Sequence, residues 1–262
     1  MKRMSVALVA LIVTAIGVHA AVTSVNIVGY KETTLEAGKR IIMSAPLYDP
    51  SGDGTNTLIG IFGTDQLLQA VNQANADRVI VFDTVAGVYQ AYAQYTDGHF
   101  YRANSAEEWD DSILADDDTI PAGSSFWVVH PASAPARDVS LLGEVLGGKS
   151  HTQDVALVTG YQLASSAYAA EIDIQEIAKI ADGATAAINN ANADRIVTWD
   201  AAAQAYQTYA LYTDDVWYKA NTAEEWDDSI AATGTIPVGG GFWYISKTDF
   251  TLTDACPYSG AY

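Results

Sequence analysis

A cluster of acidic residues beside a tryptophan occurs twice in the chain and is the first candidate for chemistry. Residues 105–112 read SAEEWDDS, and residues 222–229 read TAEEWDDS. Clustered carboxylate oxygens are the ligands that calcium prefers, and a facing pair of carboxylates is the machinery of a glycosidase. The residues that could bind calcium are Asp110, Asp111, Asp227 and Asp228.

A structural interpretation competes with the metal site. Ser105 and Glu108 have the spacing of a capping box, in which the hydroxyl accepts a backbone N–H and the Glu reaches back to the cap. Residues 222–225 repeat that spacing. The pattern predicts a single helical turn with a buried tryptophan, Trp109 or Trp226, and it leaves calcium binding by the aspartates open.

Other catalytic chemistry finds little support in the sequence. His99 aligns with Val216 of the second half, so a duplicated histidine site is excluded. There is no Gly-x-Ser-x-Gly turn, no phosphate-binding loop and no zinc-ligand spacing. Residues 49–55 lack the final Glu of a calcium loop. Residues 116–118 are predicted to be a solvated loop, and Asp77 beside Arg78 predicts a turn with a local charge pair. We predict no enzyme activity, no catalytic residues and no cofactor other than candidate calcium.

Tyrosines recur at equivalent positions and could stack against sugar rings. The candidate ligand-binding residues are Tyr92, Tyr209, Tyr95 and Tyr212. Buried aromatic residues of a β core give the same pattern, so core packing and ligand binding both remain open. Tyr89 and Tyr92 are an odd number of positions apart and face opposite sides of one strand. At least one of the two is therefore expected to be exposed or at an interface.

The elements that must position these residues come from an internal duplication. Residues 74–113 align with residues 191–230 at a constant offset of 117, and 25 of these 40 positions are identical. Chance does not produce such a match, so the chain consists of two repeat units. We place a signal peptide at residues 1–20, unit one at 21–145 and unit two at 146–262, with a glycine-rich hinge at 147–150, and we expect each unit to fold independently.

The local pattern within each unit is mostly β. Segments rich in β-branched and aromatic residues alternate with turn residues, for example at 78–83, 88–95, 99–102 and 125–129. Residues 32–35 and 39–44 predict a hairpin, and near-helical apolar spacing predicts one short helix at 65–74 and another at 172–181. The predicted fold is mainly β, with two tandem homologous domains of the β-sandwich or small-barrel type, each with one or two short helices.

The N-terminus and the charge indicate export and limit the partners. A basic start, an apolar run and small residues before Ala21 are typical of a secretory signal, too short to span a membrane. We expect a protein without a transmembrane segment in the extracellular space, at the cell surface or in the periplasm. With 32 acidic and 13 basic residues, a net charge of −19 excludes nucleic acid as a natural partner. The single cysteine, Cys256, cannot form a disulfide within the chain.

Several short motifs together resemble a known group of proteins. These are VNIVGY at 25–30, LEAG at 35–38, SAP at 44–46, IPAGSSFW at 120–127 and LLGEV at 141–145. On these motifs the chain resembles conserved hypothetical secreted β proteins with tandem repeats from environmental Gram-negative bacteria, over nearly all of residues 21–262. The resemblance implies secretion, but that group has no assigned activity, so it implies no site residues.

Three functions remain to be separated. The leading hypothesis is a non-catalytic extracellular or cell-surface protein with a structural or assembly role. The alternative is a bivalent glycan-binding module, which surface aromatic residues around a groove would favour. The third is a glycoside hydrolase that acts through carboxylates. Residues 22–30 also predict a strand that either completes unit one or pairs with another molecule, because residues 147–150 cannot form an equivalent strand. Unit two either closes its sheet by pairing with residues 139–145 or presents an open edge to a strand of another molecule.

Overall fold

The computed structural model describes residues 27–48, 56–103, 109–145, 152–220 and 226–257. It is mainly β with few short helices, and it contains two similar sets of sheets, which confirms the predicted fold class. The strands of unit one are β1 (Ile27–Leu35), β2 (Arg40–Ser44), β3 (Arg78–Asp83), β4 (Val88–Gln94), β5 (Phe100–Ala103), β6 (Trp109–Leu114), β7 (Ser125–Val129) and β8 (Arg137–Val145). The strands of unit two are β9 (Thr152–Leu157), β10 (Gly160–Ala164), β11 (Ile172–Asp173), β12 (Arg195–Asp200), β13 (Ala205–Leu211), β14 (Trp217–Ala220), β15 (Trp226–Ala231), β16 (Thr235–Ile236), β17 (Phe242–Ser246) and β18 (Phe250–Ala255).

Each unit combines a six-stranded sheet with a two-stranded ribbon. The sheet order is β2-β7-β3-β4-β5-β6 in unit one and β10-β17-β12-β13-β14-β15 in unit two. The ribbons are β1 with β8 and β9 with β18, and β11 pairs with β16 in a further short ladder. All of these pairs are antiparallel, as the predicted meander of short strands requires.

A separate hydrophobic core lies between the sheet and the ribbon of each unit. In unit one, Phe126 of the sheet and Leu141 of the ribbon enclose Phe62 of helix α1 (Leu58–Phe62). In unit two, Trp217 and Tyr244 of the sheet belong to one cluster with residues of the ribbon and with Ile174 of the 3-10 turn Ile174–Glu176. A second 3-10 turn, Ile180–Asp182, contributes no buried residue. Two complete cores are consistent with independent folding of the units, which stays a prediction.

The predicted helices are misplaced. Residues 65–74 form no α-helix, and the helix of unit one lies earlier, at Leu58–Phe62. The reason is Asp77, whose carboxylate accepts the Leu68 N–H at 2.7 Å while its own N–H donates to the Leu68 carbonyl at 2.9 Å. This pair of bonds holds the segment as a loop, with only the 3-10 turn Gln73–Asn75 at its end. In unit two, residues 172–181 contain β11 and the two 3-10 turns instead of one helix.

The predicted hairpin is also wrong, and the N-terminal strand belongs to its own unit. Residues 32–35 lie in β1 and pair with β8, whereas β2 pairs with β7. Unit two has the equivalent ribbon of β9 and β18, so the predicted asymmetry between the units is not found in these strands. Unit two does not use residues 139–145, because they lie in β8 and pair with β1. Residues 22–26 lie outside the described residues.

The acidic residues at 77 and 116–118 have structural roles that the sequence did not indicate. The Asp77 carboxylate is fully buried and lies 2.5 Å from Nδ1 of His130, so it joins separate segments of unit one. In unit two the equivalent Asp194 accepts the Tyr244 hydroxyl at 2.9 Å and the Lys247 N–H at 2.7 Å. The loop at 116–118 is not merely solvated, because Asp118 binds the Arg102 guanidinium through two bonds of 2.7 Å.

Candidate functional site

The predicted carboxylate site lies largely outside the described residues. The backbone of Asp110 and Asp111 is in β6 and that of Asp227 and Asp228 in β15, so these four residues are on strands. Their side chains, like residues 104–108 and 221–225 with the predicted capping boxes, are not described. Within the described ranges, no group of three or more His, Cys, Asp or Glu residues could hold a metal ion. Calcium binding by these aspartates stays a prediction.

The four predicted ligand-binding tyrosines face the cores or the hairpin ends. Tyr92 is only 9% exposed, and burial in unit one raises the pKa of its hydroxyl. Tyr209 is partly buried in the core of unit two, and burial likewise raises its pKa. Tyr95 packs edge-on against Tyr101 at 6.1 Å between ring centroids, and Tyr212 packs against Tyr218 at 5.9 Å. These contacts occupy part of the ring surface that a sugar would need.

The opposite face of the same strands carries the exposed tyrosines. Tyr89 is 58% exposed and Tyr206, its equivalent, is 51% exposed. The prediction that Tyr89 and Tyr92 face opposite sides is therefore confirmed. The outer faces of the two sheets are turned toward each other, and both exposed tyrosines lie where the units meet.

A third hydrophobic cluster joins the two units. It contains four equivalent pairs of residues, one member from each unit: Ile42 and Leu163, Trp127 and Trp243, Ile80 and Val197, and Phe82 and Trp199. Trp127 packs against Trp199 at 5.3 Å between ring centroids, and Trp243 packs against Phe82 at 5.2 Å. Because each contact has a counterpart with the units exchanged, the units are related by an approximate two-fold axis.

Backbone hydrogen bonds between the units follow the same symmetry. The Ser44 N–H donates to the Gly239 carbonyl at 2.9 Å, and the Ser165 N–H donates to the Gly123 carbonyl at 2.8 Å. Each bond connects the end of a sheet-edge strand with the Ile-Pro turn of the other unit. The turns therefore cover the edges of β2 and β10, and they fix the relative position of the two sheets.

Two clefts meet at the exposed tyrosines. The first has a volume of about 610 Å³ and the second of about 480 Å³, and both are lined by Tyr89 and Tyr206. Together they form a groove, which we call the aromatic groove. Its further lining from unit one is Arg40, Gln73, Arg78, Ile80, Phe82, Gln90, Ala91, Ala103, Trp127 and Val129, and from unit two Tyr161, Val197, Thr208, Trp243 and Ile245.

The rings of the groove are held in place by edge-on packing. Tyr206 lies 4.7 Å from Trp199 and 6.3 Å from Trp127 between centroids, and Tyr89 lies 5.1 Å from Phe82. Burial, followed by the nearby Tyr206, raises the pKa of the Tyr89 hydroxyl, although Arg40 opposes the shift. Both rings are thus exposed on one side and supported on the other.

One feature of the sequence indicates this groove, namely two strands that are apolar on both faces. In β7 and β17 both faces are apolar, and every residue of the two strands is buried except Val129, which is half-buried. An antiparallel strand that is apolar on both faces needs a partner on its outer side. Identity between the repeats could not distinguish the two faces, because Tyr89 and Tyr206 are identical just as Tyr92 and Tyr209 are.

No family model, curated protein or solved structure matches this chain. Among the described residues, no helix has the length and apolar character needed to cross a membrane.

Proposed function

We propose that the protein is a secreted, non-catalytic carbohydrate-binding protein that holds a linear glycan in the aromatic groove. The observation that carries the proposal is the pair Tyr89 and Tyr206, which are more than half exposed although each packs against a tryptophan or phenylalanine. Exposed rings that are fixed by their neighbours offer a rigid apolar surface to the C–H face of a sugar at low entropic cost. The predicted secretory signal supports an extracellular ligand.

Polar groups at the rim suit the hydroxyl groups of a sugar. Thr208 lines the second cleft, and Arg40 and Arg78 add charged donors to the first. Binding sites for small ligands combine apolar walls with a few convergent polar groups in this way. Because rings of both units line the same groove, we propose one shared site rather than one site in each unit.

Binding without hydrolysis fits the lining better than a glycosidase. Hydrolysis requires two carboxyl groups on either side of the bond that is cleaved. In the part of the chain that the structure describes, no Asp or Glu lines either cleft of the aromatic groove. A glycan in the groove would therefore be bound and not cut.

The test is affinity electrophoresis of the mature chain in gels that contain a panel of neutral and acidic polysaccharides. We expect Tyr89→Ala and Tyr206→Ala each to weaken binding about fivefold or more, since a stacked ring contributes about 1 kcal/mol or more. The matched controls are Tyr95→Ala and Tyr212→Ala, which remove tyrosines of the same strands outside the groove. If only the control variants lose binding, the site lies at the hairpin ends. If no polysaccharide retards the protein, the proposed function is wrong.

A role in assembly is the second candidate, supported by the outer strands of both sheets. Within the described ranges, β6 and β15 each pair with a strand on one side only. They expose Ile113 and Ile230, at 41% and 46% of the side chain. A strand that has an unpaired edge and an exposed apolar residue can add a strand from another molecule. Light scattering of the mature chain at increasing concentration tests this role, and Ile113→Lys with Ile230→Lys should abolish any association.

A further inference from the structure

The two halves of the aromatic groove are built from equivalent strands but differ in charge. Arg40 of β2 occupies the position that Tyr161 of β10 has in the other unit, next to Trp127 and Trp243 respectively. The first cleft is lined by Arg40 and Arg78, whereas the second is lined by no charged residue in the described part of the chain. One end of the groove is therefore basic in a protein whose net charge is −19.

Arg40 is held in an orientation that leaves its donors for a ligand. Its guanidinium carbon lies 4.5 Å from the centroid of Trp199 and 5.2 Å from that of Trp127, so two indole rings position the group. No ion pair joins Arg40 to an acidic residue among those that the structure describes. A guanidinium that stacks on rings keeps its N–H donors in its own plane, where they suit a carboxylate or sulfate with two oxygens.

A second donor in the same cleft also has no acceptor. Gln73 is only 5% exposed and lines the cleft, and its Nε2 has no hydrogen-bond partner in the structure. A buried amide donor without an acceptor costs free energy, and an acceptor that enters with a ligand removes that cost. The cleft therefore combines an oriented guanidinium with an amide donor that lacks an acceptor, and none of the described residues that line it is an acid.

We infer that the ligand of the aromatic groove is an acidic polysaccharide, with a uronate carboxylate or sulfate ester bound at Arg40 and Gln73 and neighbouring sugar rings stacked on Tyr89 and Tyr206. This inference rests on the proposed function and specifies its substrate class. The neutral half with Tyr161 and Trp243 would hold the next sugar by its apolar face, so the ligand would bind in one direction along the groove.

The experiment uses isothermal titration calorimetry on the mature chain with paired probes. The first pair is hexagalacturonate and its fully methylated ester, and the second is a sulfated galactan oligosaccharide and its desulfated form. We expect the charged member of at least one pair to bind about tenfold or more tightly, as for a charge-assisted hydrogen bond. The pair that shows this difference identifies the anion as carboxylate or sulfate. The preference should fall with added salt.

Substitutions test whether the anionic group of the ligand binds at Arg40. Arg40→Gln should weaken binding of the charged probe about tenfold and that of the neutral probe less than about twofold, with Arg40→Lys between. Arg137→Gln, which removes the same charge from a half-buried position of β8 outside the groove, should leave both affinities unchanged. Tyr161→Gln, at the mirror position, should weaken both probes equally. If Arg40→Gln does not fold, two other measurements test the inference: the probe affinities of Arg40→Lys and the comparison of the paired probes on the wild type.

The possible negative results distinguish a wrong ligand class from a wrong proposed function. If each neutral probe binds as tightly as its charged partner and binding depends on Tyr89 and Tyr206, the proposed function holds and the acidic ligand is wrong. If the charged probe is preferred equally by wild type and Arg40→Gln, the anion does not lie at Arg40 and the inference fails. If neither probe pair nor any polysaccharide of the panel binds, the proposed function fails with it.

Discussion

The interface between the units predicts that one tryptophan stabilises both of them. Trp127 belongs to unit one but packs against Trp199 and Tyr206 of unit two, and it is almost completely buried. Replacing a buried tryptophan with alanine costs about 3–5 kcal/mol. Since this loss falls on the interface, we expect Trp127→Ala to weaken unit two as well as unit one.

Hydrogen exchange measured by mass spectrometry separates the two units. If each unit opens on its own, the protection of β12 reports the stability of unit two together with the interface. A loss of about 3 kcal/mol from the interface accelerates exchange in β12 about a hundredfold, at about 1.4 kcal/mol for each factor of ten. Peptides that cover β3 of unit one should show a comparable change.

The neighbouring residue provides the matched control. Phe126 lies on the same strand, faces the core of unit one and is completely buried. Phe126→Ala should also cost about 3–5 kcal/mol, but it leaves the interface intact, so exchange in β12 should stay at the wild-type rate. The reasoning is refuted if Trp127→Ala leaves β12 unchanged while it destabilises β3. An equal effect of both variants on β12 would show that the two units unfold as one.

Two further predictions concern polar contacts. Asp116 accepts a hydrogen bond from the exposed His99 and thereby raises the pKa of the His99 imidazole. The hydrogen bond therefore stabilises the folded state below the unfolded pKa of about 6.5, and this stabilisation is lost as the pH rises through the raised folded pKa. His99→Gln should therefore lower the melting temperature more at about pH 5.5 than at about pH 8.5, and an equal effect at both would contradict the assignment. Tyr244→Phe removes a buried hydroxyl that donates to Asp194 and should cost about 1–3 kcal/mol in urea denaturation, whereas Tyr161→Phe at an exposed ring should cost less than about 0.5 kcal/mol.

The local order of strands was predictable, whereas the pairs distant in sequence were not. The meander of β3, β4 and β5 follows from alternating residues and turn signals, because those strands are neighbours in both sequence and space. The ribbon of β1 and β8 joins residues more than a hundred positions apart, and no local pattern contains that information. A hairpin of β1 with β2 was the nearest local solution, and tertiary packing overrode it.

The site was missed for a related reason. Identity between the repeats does not separate core positions from groove positions, because the buried residues Tyr92 and Asp77 and the exposed groove residue Tyr89 are all identical in the second unit. At the interface some equivalent positions have diverged, as Phe82 and Trp199 have, whereas others have not, as Trp127 and Trp243. A groove formed by two copies of one unit therefore consists partly of the positions at which the copies differ.

At one such position, we predict that making the two repeats identical destabilises the protein. Ser125 and Gly241 are equivalent residues at the start of β7 and β17, and a Cβ at residue 241 would come within 2.7 Å of Ile42 Cγ2 and closer still to Ser125 Cβ. Both positions lie at the axis, where only one of the two can carry a side chain. Gly241→Ser, which restores the repeat, should cost about 1–3 kcal/mol by overpacking. Ser125→Gly also equalises the positions, but it removes a buried hydroxyl without a hydrogen-bond partner and should change the free energy of unfolding by less than about 1 kcal/mol. Urea denaturation of the two variants compares them directly. If Gly241→Ser is as stable as the wild type, the units do not meet at this axis, and the aromatic groove between them would lose its structural basis.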